Sequence, residues 1–276
     1  MCSTCGCSEE AESTVTNFGG EPPDRTAQHS HEHQHGHSHE GRHHHGDGAH
    51  TQARAQHEPG HRTIRLEQDI LARNNRIAQR NREWLEGRNI FAVNLMSSPG
   101  AGKTTLLEHT IRDLGREVPI SVVEGDQETI RDAERIRAAG CKVIQINTGT
   151  GCHLDAGMLD RALHELDPPL NSLVLIENVG NLVCPALFDL GETSRVVIMS
   201  VTEGEDKPLK YPHMFRAADI MVLSKADLLP HLEFDLESCL TYARQVNPKL
   251  RYFQLSALRG IGLQPWYDWL RARAAL

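Results

Sequence analysis

Seven apolar runs constrain the fold of this chain more than any other feature. They are IFAVNLM (90–96), PISVVEG (119–125), KVIQINT (142–148), SLVLIEN (172–178), RVVIMSV (195–201), DIMVLSK (219–225) and RYFQLSA (251–257). Each has strand length and is close to continuously apolar, the mark of a strand covered on both faces. Between most of them lie stretches of helical spacing, at 104–115, 128–140, 155–166 and 234–246. Strands alternating with helices predict an α/β domain, doubly wound around a mainly parallel sheet. In open sheets of this kind ligands sit at the carboxyl ends of the strands, so the chemistry is to be sought in the loops that follow the runs.

The rest of the chain differs in composition. Twelve of the 17 histidines fall between His29 and His61, and residues 1–62 hold few large apolar side chains. Such a segment buries too little apolar surface to offset its ordering entropy, and is expected to be disordered. Within it, residues 2–7 form a cysteine motif and 29–61 a histidine-rich tract. Residues 63–88 then carry Leu66, Ile70, Ile77 and Trp84 at spacings of four and seven, backed by Leu71 and Leu85. These predict an amphipathic lead-in helix that packs on the domain. The organisation expected is a metal-binding tail at 1–62, the helix at 63–88 and a P-loop domain at 89–276.

Charge and hydropathy exclude several classes. With 37 acidic and 29 basic residues the net charge is -8, which suits neither nucleic acid nor an anionic membrane. No stretch reaches the ~18–20 apolar residues of a membrane span. The first ten residues, MCSTCGCSEE, lack the basic and apolar regions of a secretory signal, so the expected location is the cytoplasm. Seven cysteines there read as thiols or metal ligands before disulfides.

The first run leads into Ser97, Ser98, Pro99, Gly100, Ala101, Gly102, Lys103, Thr104 and Thr105, and then a helical pattern. This is the phosphate-loop pattern G-x-x-x-x-G-K-[ST] with Ser97 at its first position. Gly100 and Gly102 let backbone N–H groups, from Ala101 to Thr105, turn toward a polyphosphate at a helix N-terminus. Lys103 can reach the terminal phosphates, and the Thr104 hydroxyl can hold Mg2+. Lys103 and Asp126 are the candidate catalytic residues. Asp126, in the loop after the second run, is a candidate for the Mg2+ shell. Glu177 and Gly180, after the fourth, resemble the D-x-x-G switch with Glu for Asp, Gly180 offering its N–H to a γ-phosphate. No residue stands out as the base for the attacking water, so slow intrinsic hydrolysis is expected.

The base is read from two further loops. Ser224, Lys225 and Asp227 resemble the N-K-x-D guanine motif with Ser for Asn. A carboxylate at Asp227 can accept two hydrogen bonds from guanine, whereas adenine offers no such donor pair. Ser256 and Ala257 resemble the S-A-K loop that supports the same base. Together they favour GTP over ATP.

Three thiol features carry metal chemistry. Cys2, Cys5 and Cys7 can converge on one soft or borderline ion, and they lack the strand and helix context of a redox motif. Cys152 and His153 follow the third run, and Cys184 lies seven residues after Glu177. Thiolate plus imidazole suits Zn2+ or Ni2+, and the set is incomplete without water or a second subunit. The histidine tract is expected to buffer divalent ions loosely. Cys141 and Cys239 sit in strand-edge and helical patterns and read as core residues.

With these motifs together, the sequence resembles the HypB family, GTPases that help insert nickel into nickel–iron hydrogenase. The resemblance spans the whole length and departs chiefly at Ser224, where Asn is usual. It implies a SIMIBI-class P-loop fold, GTP hydrolysis with Mg2+, and a homodimer favoured by nucleotide. It also implies a metal site at Cys152, His153 and Cys184 near the dimer interface, a tight nickel site at Cys2, Cys5 and Cys7, and a storage role for the histidine tract. The partners implied are a HypA-type zinc-containing companion, a SlyD-type chaperone in some bacteria and the hydrogenase large subunit. Two readings compete with a GTP-gated nickel chaperone. One is a nickel or zinc storage protein with a vestigial G domain. The other is a related enzyme, a urease-type maturation GTPase or a P-loop kinase, although the Cys-Pro-His motif usual in urease helpers is absent.

Overall fold

The computed structural model describes residues 13–18, 59–127 and 130–274. Eight strands form one sheet in the order β1-β4-β3-β5-β2-β6-β7-β8. In chain order they are β1 (Thr14–Asn17), β2 (Phe91–Ser97), β3 (Ile120–Asp126), β4 (Lys142–Asn147), β5 (Leu173–Glu177), β6 (Ser194–Ser200), β7 (Ile220–Ser224) and β8 (Arg251–Gln254). Strands β2 to β8 are parallel, and each falls on one of the seven apolar runs. The parallel α/β architecture read from the alternation is therefore the one observed.

The helices are α1 (Pro59–Gly87), α2 (Lys103–Leu114), α3 (Arg131–Ala138), α4 (Ala156–Leu166), α5 (Lys207–Lys210), α6 (Pro212–Ala217), α7 (Leu236–Val246) and α8 (Gln264–Ala274). Alternation along β2 assigns the two faces. Phe91, Val93 and Leu95 join the core made with α2, α3 and α8. Ala92 joins the core made with α1 and α4, and Met96 the one made with α6 and α7. Local caps fix several starts. Asp155 accepts from the Met158 N–H at 2.7 Å to open α4, and Asp235 from the Ser238 N–H at 3.0 Å to open α7, each relieving an orphan donor. Among the described residues no helix is long and apolar enough to cross a membrane.

The structure corrects the reading of the first 62 residues at two points. Residues 14–17 are not part of a disordered tail; they form β1, antiparallel along the outer edge of β4. A four-residue T-V-T-N alternation inside a polar segment is too short to register as an apolar run, and its stability comes from the ladder on β4. The lead-in helix begins at Pro59, four residues before the expected start. Residues 1–12 and 19–58 lie outside those described, with Cys2, Cys5, Cys7 and His29 among them.

Candidate nucleotide and metal site

The turn between β2 and α2 is an open cradle. Gly100 and Gly102 take left-handed φ values of 73° and 98°, which side chains adopt only with strain. No atom lies within 4 Å of where a Cβ of either would stand. Lys103 opens α2 and donates from Nζ to Ser97 Oγ at 2.8 Å, so the serine at the atypical first motif position holds the lysine inward. Burial pulls the Lys103 ammonium below its ordinary range, while Glu177, Asp132, Glu124 and Glu203 push the other way.

Two glutamates face this cradle from neighbouring strands. Glu124 on β3 and Glu177 on β5 are register partners, and both are buried. Thr104 Oγ1 donates to Glu177 Oε1 at 2.8 Å. The Oε2 atom of each glutamate is buried without a hydrogen-bond partner. Burial, with the charges of Glu177, Asp126 and Asp132, raises the Glu124 pKa to about 9. Burial raises that of Glu177 to about 7, against the pull of Lys103 and Thr104. Paired carboxylates with unmatched oxygens beside a hydroxyl are the donor set of a hard divalent cation. Thr104, Glu177 and Glu124 thus fit Mg2+, with Asp126 half-buried on the same cleft. That cleft, of about 480 Å3, runs from the cradle past Asp132 and Arg135 to Gly180 and Lys225. Gly180 abuts the cradle: a Cβ there would stand 3.1 Å from Pro99 Cα.

The residues expected to read a base lie on the adjacent strand ends. Ser224 is buried, and its hydroxyl donates to the Ala101 carbonyl at 2.6 Å, so the residue in the place of Asn ties the base loop to the phosphate loop. Lys225 takes a φ of 57°. The Ala226 N–H donates to Leu255 O at 3.1 Å, which joins the segment before Asp227 to the segment before Ser256 and Ala257. Arg259 Nε lies 3.8 Å from Asp227 Oδ2.

The cysteine and histidine readings converge on one point. Cys152 Sγ and Cys184 Sγ are 3.0 Å apart, and His153 Nδ1 is 3.6 Å from Cys152 Sγ. The ligand atoms of all three lie within 4.8 Å of one another. The His153 ring stacks on Phe188 at a centroid distance of 4.0 Å. Burial lowers its pKa, which favours the neutral imidazole that a metal requires. By contrast, burial raises Cys141 and Cys239 to about 12; both are unreactive packing thiols, as their sequence positions suggested.

Comparison with known proteins bears on what this arrangement is. A family model described as the CobW/HypB/UreG nucleotide-binding domain matches residues 91–254. The hydrogenase maturation factor HypB of Azotobacter vinelandii is 58% identical over 217 residues, covering 78% of this chain and 72% of the relative. That of Escherichia coli K12 is 46% identical over 287 residues, covering 99% of both. The chain belongs to the HypB family of hydrogenase maturation factors. Two solved HypB structures agree with the fold. That from Archaeoglobus fulgidus is 43% identical, with a TM-score of 0.69, covering 74% of this chain and all of the other. HypB from Helicobacter pylori, solved in complex with nickel, is 37% identical with a TM-score of 0.69, covering 74% and 95%.

Within this HypB-type domain, sequence reasoning missed four residues of the cleft and its surroundings. Glu124 was visible in principle, since SVVEGD and LVLIEN both end an apolar strand with a glutamate. Asp132 and Arg135 line the cleft from α3, inside the helical stretch 128–140, where no motif marks them. Asn178 is buried. Its Oδ1 accepts from the Leu154 N–H at 3.2 Å and from its own Val179 N–H at 3.0 Å, and its Nδ2 donates to Asn94 Oδ1 at 3.2 Å. No motif marks it.

Proposed function

We propose that this protein is a GTP-hydrolysing nickel metallochaperone of the cytoplasm that binds, stores and delivers nickel for maturation of nickel–iron hydrogenase, with nucleotide-dependent dimerisation gating the transfer. The observation that carries this reading is the shared loop. Glu177, held by the cradle's Thr104, and Cys184, in contact with Cys152, are seven residues apart on one segment. A change at the phosphate cleft therefore acts on the metal ligands through a short covalent path.

In this reading Lys103 binds the terminal phosphates, and backbone N–H groups from Ala101 to Thr105 cradle them. Mg2+ supplies charge neutralisation of the phosphates when bound. Asp126, Thr104 and Glu177 hold it, with Glu124 behind them, and Gly180 offers its N–H to the γ-phosphate. Asp227 reads the guanine edge, Lys225 packs along the base, and Ser256 and Ala257 support it. Ser224 keeps base and phosphate loops in register. Loss of the γ-phosphate frees the segment between Glu177 and Cys184, in the manner of switch loops, and lowers nickel affinity at Cys152, His153 and Cys184. The set suits zinc as well as nickel. The dimer partner or water completes it. Among the described residues no side chain stands out as a base for the attacking water, in keeping with a slow intrinsic rate. A HypA-type companion, a SlyD-type chaperone and the hydrogenase large subunit are the partners this role calls for.

The test compares single-turnover GTP hydrolysis of the parent with Lys103→Ala. A fall of at least about a hundredfold is expected from loss of a phosphate-stabilising cation. Equal rates would overturn a catalytic G domain in favour of a storage protein.

A further inference from the structure

We propose that Asn94 is a positioning residue for both the nucleotide and the metal chemistry: its buried amide clips the two ends of the segment 178–192 to the central strand β2, so that Gly180 and Cys184 are held as parts of one loop. The inference rests on the reading above for what Gly180 and Cys184 do, and adds what holds them.

Asn94 is the one polar residue in the apolar run IFAVNLM. It lies mid-strand in β2 and is fully buried. Ile176 on β5 and Arg195 on β6 are its register partners, and it shares a face of the sheet with Ala92 and Met96. An apolar side chain would suit such a position, whereas an amide is tolerated there only when its polar atoms are paired. Here they pair with the two ends of one loop. Asn94 Oδ1 accepts from Asn178 Nδ2 at 3.2 Å, and Asn94 Nδ2 donates to Glu192 Oε1 at 3.1 Å. The backbone of β2 makes the same bridge. Leu95 O accepts from the Asn178 N–H at 3.0 Å, and Ala92 O from the Thr193 N–H at 2.9 Å.

The neighbours fix which way both amides point. Two N–H groups, of Leu154 and Val179, claim Asn178 Oδ1, so Asn178 turns its Nδ2 to Asn94. The Glu192 carboxylate, paired with Arg195, only accepts, so Asn94 turns its own Nδ2 to it. Glu192 is held in its turn. Arg195 Nε donates to its Oε1 at 2.6 Å, and the Leu190 N–H to its Oε2 at 2.8 Å. Arg195 Nη2 also lies 3.3 Å from Asp189 Oδ1, which Arg82 of α1 grips at 2.9 Å. A buried ion pair gains little over apolar packing of the same shape, and its best-attested use is to fix register. That is its use here, at the far end of the loop.

Between the clipped ends the segment meets both sites. Gly180 abuts Pro99 of the phosphate loop, where a Cβ would stand 3.1 Å from Pro99 Cα. Cys184 Sγ is 3.0 Å from Cys152 Sγ, and Phe188 stacks on the His153 ring at 4.0 Å. Pinning both ends of a loop limits the positions open to everything between them. With either end released, Gly180 and Cys184 lose their common frame, and small misplacements are costly to a reaction that depends on orientation.

The experiment uses the full chain and two variants. Asn94→Ala removes both hydrogen bonds. Asn94→Asp keeps the size and the oxygen that Asn178 meets but sets a second oxygen against Glu192; it carries the test should Asn94→Ala fail to fold. Hydrogen exchange in metal-free, nucleotide-free protein reports the clip without reference to function. Peptides from 178–192 should exchange about five- to thirtyfold faster in Asn94→Ala than in the parent, with α2 unchanged. In Asn94→Asp the increase should centre on 187–192. Exchange unchanged in both variants, or raised evenly along the chain, overturns the clip. Single-turnover hydrolysis at saturating GTP should fall by about five- to thirtyfold, while affinity for GDP, which has no γ-phosphate for Gly180 to meet, stays within about twofold. With Cys2, Cys5 and Cys7 replaced by serine in parent and variant alike, a Ni2+ titration followed by the thiolate band should show a similar fall in affinity. GDP affinity lost in step with the rate would make Asn94 a packing residue of the whole cleft and overturn the positioning role. So would faster exchange with rate and Ni2+ affinity both unchanged. A parent that neither hydrolyses GTP nor gives a thiolate band overturns the functional reading, and the positioning role with it; exchange then decides the clip by itself.

Discussion

Two buried side chains in the cleft give predictions at the scale of the residue. Ser224 donates 2.6 Å to the phosphate-loop carbonyl of Ala101, so Ser224→Ala leaves a buried acceptor short and frees the base loop. A loss of about 1–2 kcal/mol in nucleotide binding is expected, seen as roughly five- to thirtyfold weaker GDP affinity by titration calorimetry. An unchanged affinity would show that Ser224 is only a packing residue. Glu124 is the second case. Its pKa in the folded chain is about 9, against an ordinary 4.5, and burial is the main cause. The apo chain is therefore most stable, as far as this group is concerned, below its unfolded value. It loses that stability as pH rises toward the folded value. Glu124→Gln removes the loss. In metal-free protein it should raise unfolding stability by roughly 1–3 kcal/mol near pH 8 and leave it unchanged near pH 4.5, as measured by urea unfolding. In Mg2+ the sign reverses, because the parent's carboxylate then faces a cation that Gln cannot match.

At the scale of the element, α1 shows where apolar periodicity falls short. The sequence pattern points to Ile70, Ile77 and Trp84 as the packed stripe, yet these are half-buried, and the buried face is Asn74, Ala78, Asn81 and Leu85. Two asparagines sit in that face because the surface they meet is made of backbone. Asn74 Nδ2 donates to Asp189 O at 2.7 Å, and its Oδ1 accepts from the Ala156 N–H at 2.9 Å. Asn81 Nδ2 donates to Ala156 O at 2.8 Å and to Leu190 O at 2.9 Å. Gly191 lets the loop approach: at a φ of 89° its Cβ would meet Ala78 O at 2.3 Å. Hydrogen bonding to a loop 109 residues away leaves no trace in helical periodicity. Asn81→Ala is expected to cost about 1–3 kcal/mol and to raise hydrogen exchange along α1 while sparing α2. Uniform exchange across the chain would argue against a separate docking step. The elements that reasoning missed share this dependence on partners. The helices α5 and α6 are only four and six residues long. In α8, Trp266 is held by a hydrogen bond from its ring N–H to Thr110 Oγ1 at 2.9 Å, a partner 156 positions away. The seven central strands were legible because burial on both faces leaves a local composition that needs no partner to be read.

For the whole molecule the question is how two sites at one pole of the sheet communicate. The Cys/His cluster was legible as spacing, as are the phosphate and guanine loops of the proposed reading, since such chemistry demands fixed residue types a few positions apart. Their connection was not. It runs from Thr104 to Glu177 by a hydrogen bond, along the chain to Asn178, and from Asn178 to the Leu154 N–H, two residues past Cys152. Gly125 at the end of β3 adds a second contact: a Cβ there would overlap the Leu154 side chain at 2.8 Å. Leu154 is thus the common point on which Gly125 and Asn178 bear, two residues past Cys152. Asn178 lines the cleft, but its side-chain hydrogen bonds go to the Leu154 and Val179 N–H groups and to Asn94. Its removal should therefore weaken coupling more than either binding event. With Cys2, Cys5 and Cys7 replaced by serine so that only the G-domain cluster reports, nickel affinity in the presence of a non-hydrolysable GTP analogue and of GDP should differ by about five- to 150-fold, and nickel should shift the preference between the two nucleotides by that same factor. Asn178→Ala should bring both ratios toward one together, because reciprocity binds them to a single coupling free energy. A variant that lost the nickel ratio and kept the nucleotide ratio would violate linkage and point to a second metal site. One that kept both would place the connection in the covalent path from Glu177 to Cys184 alone.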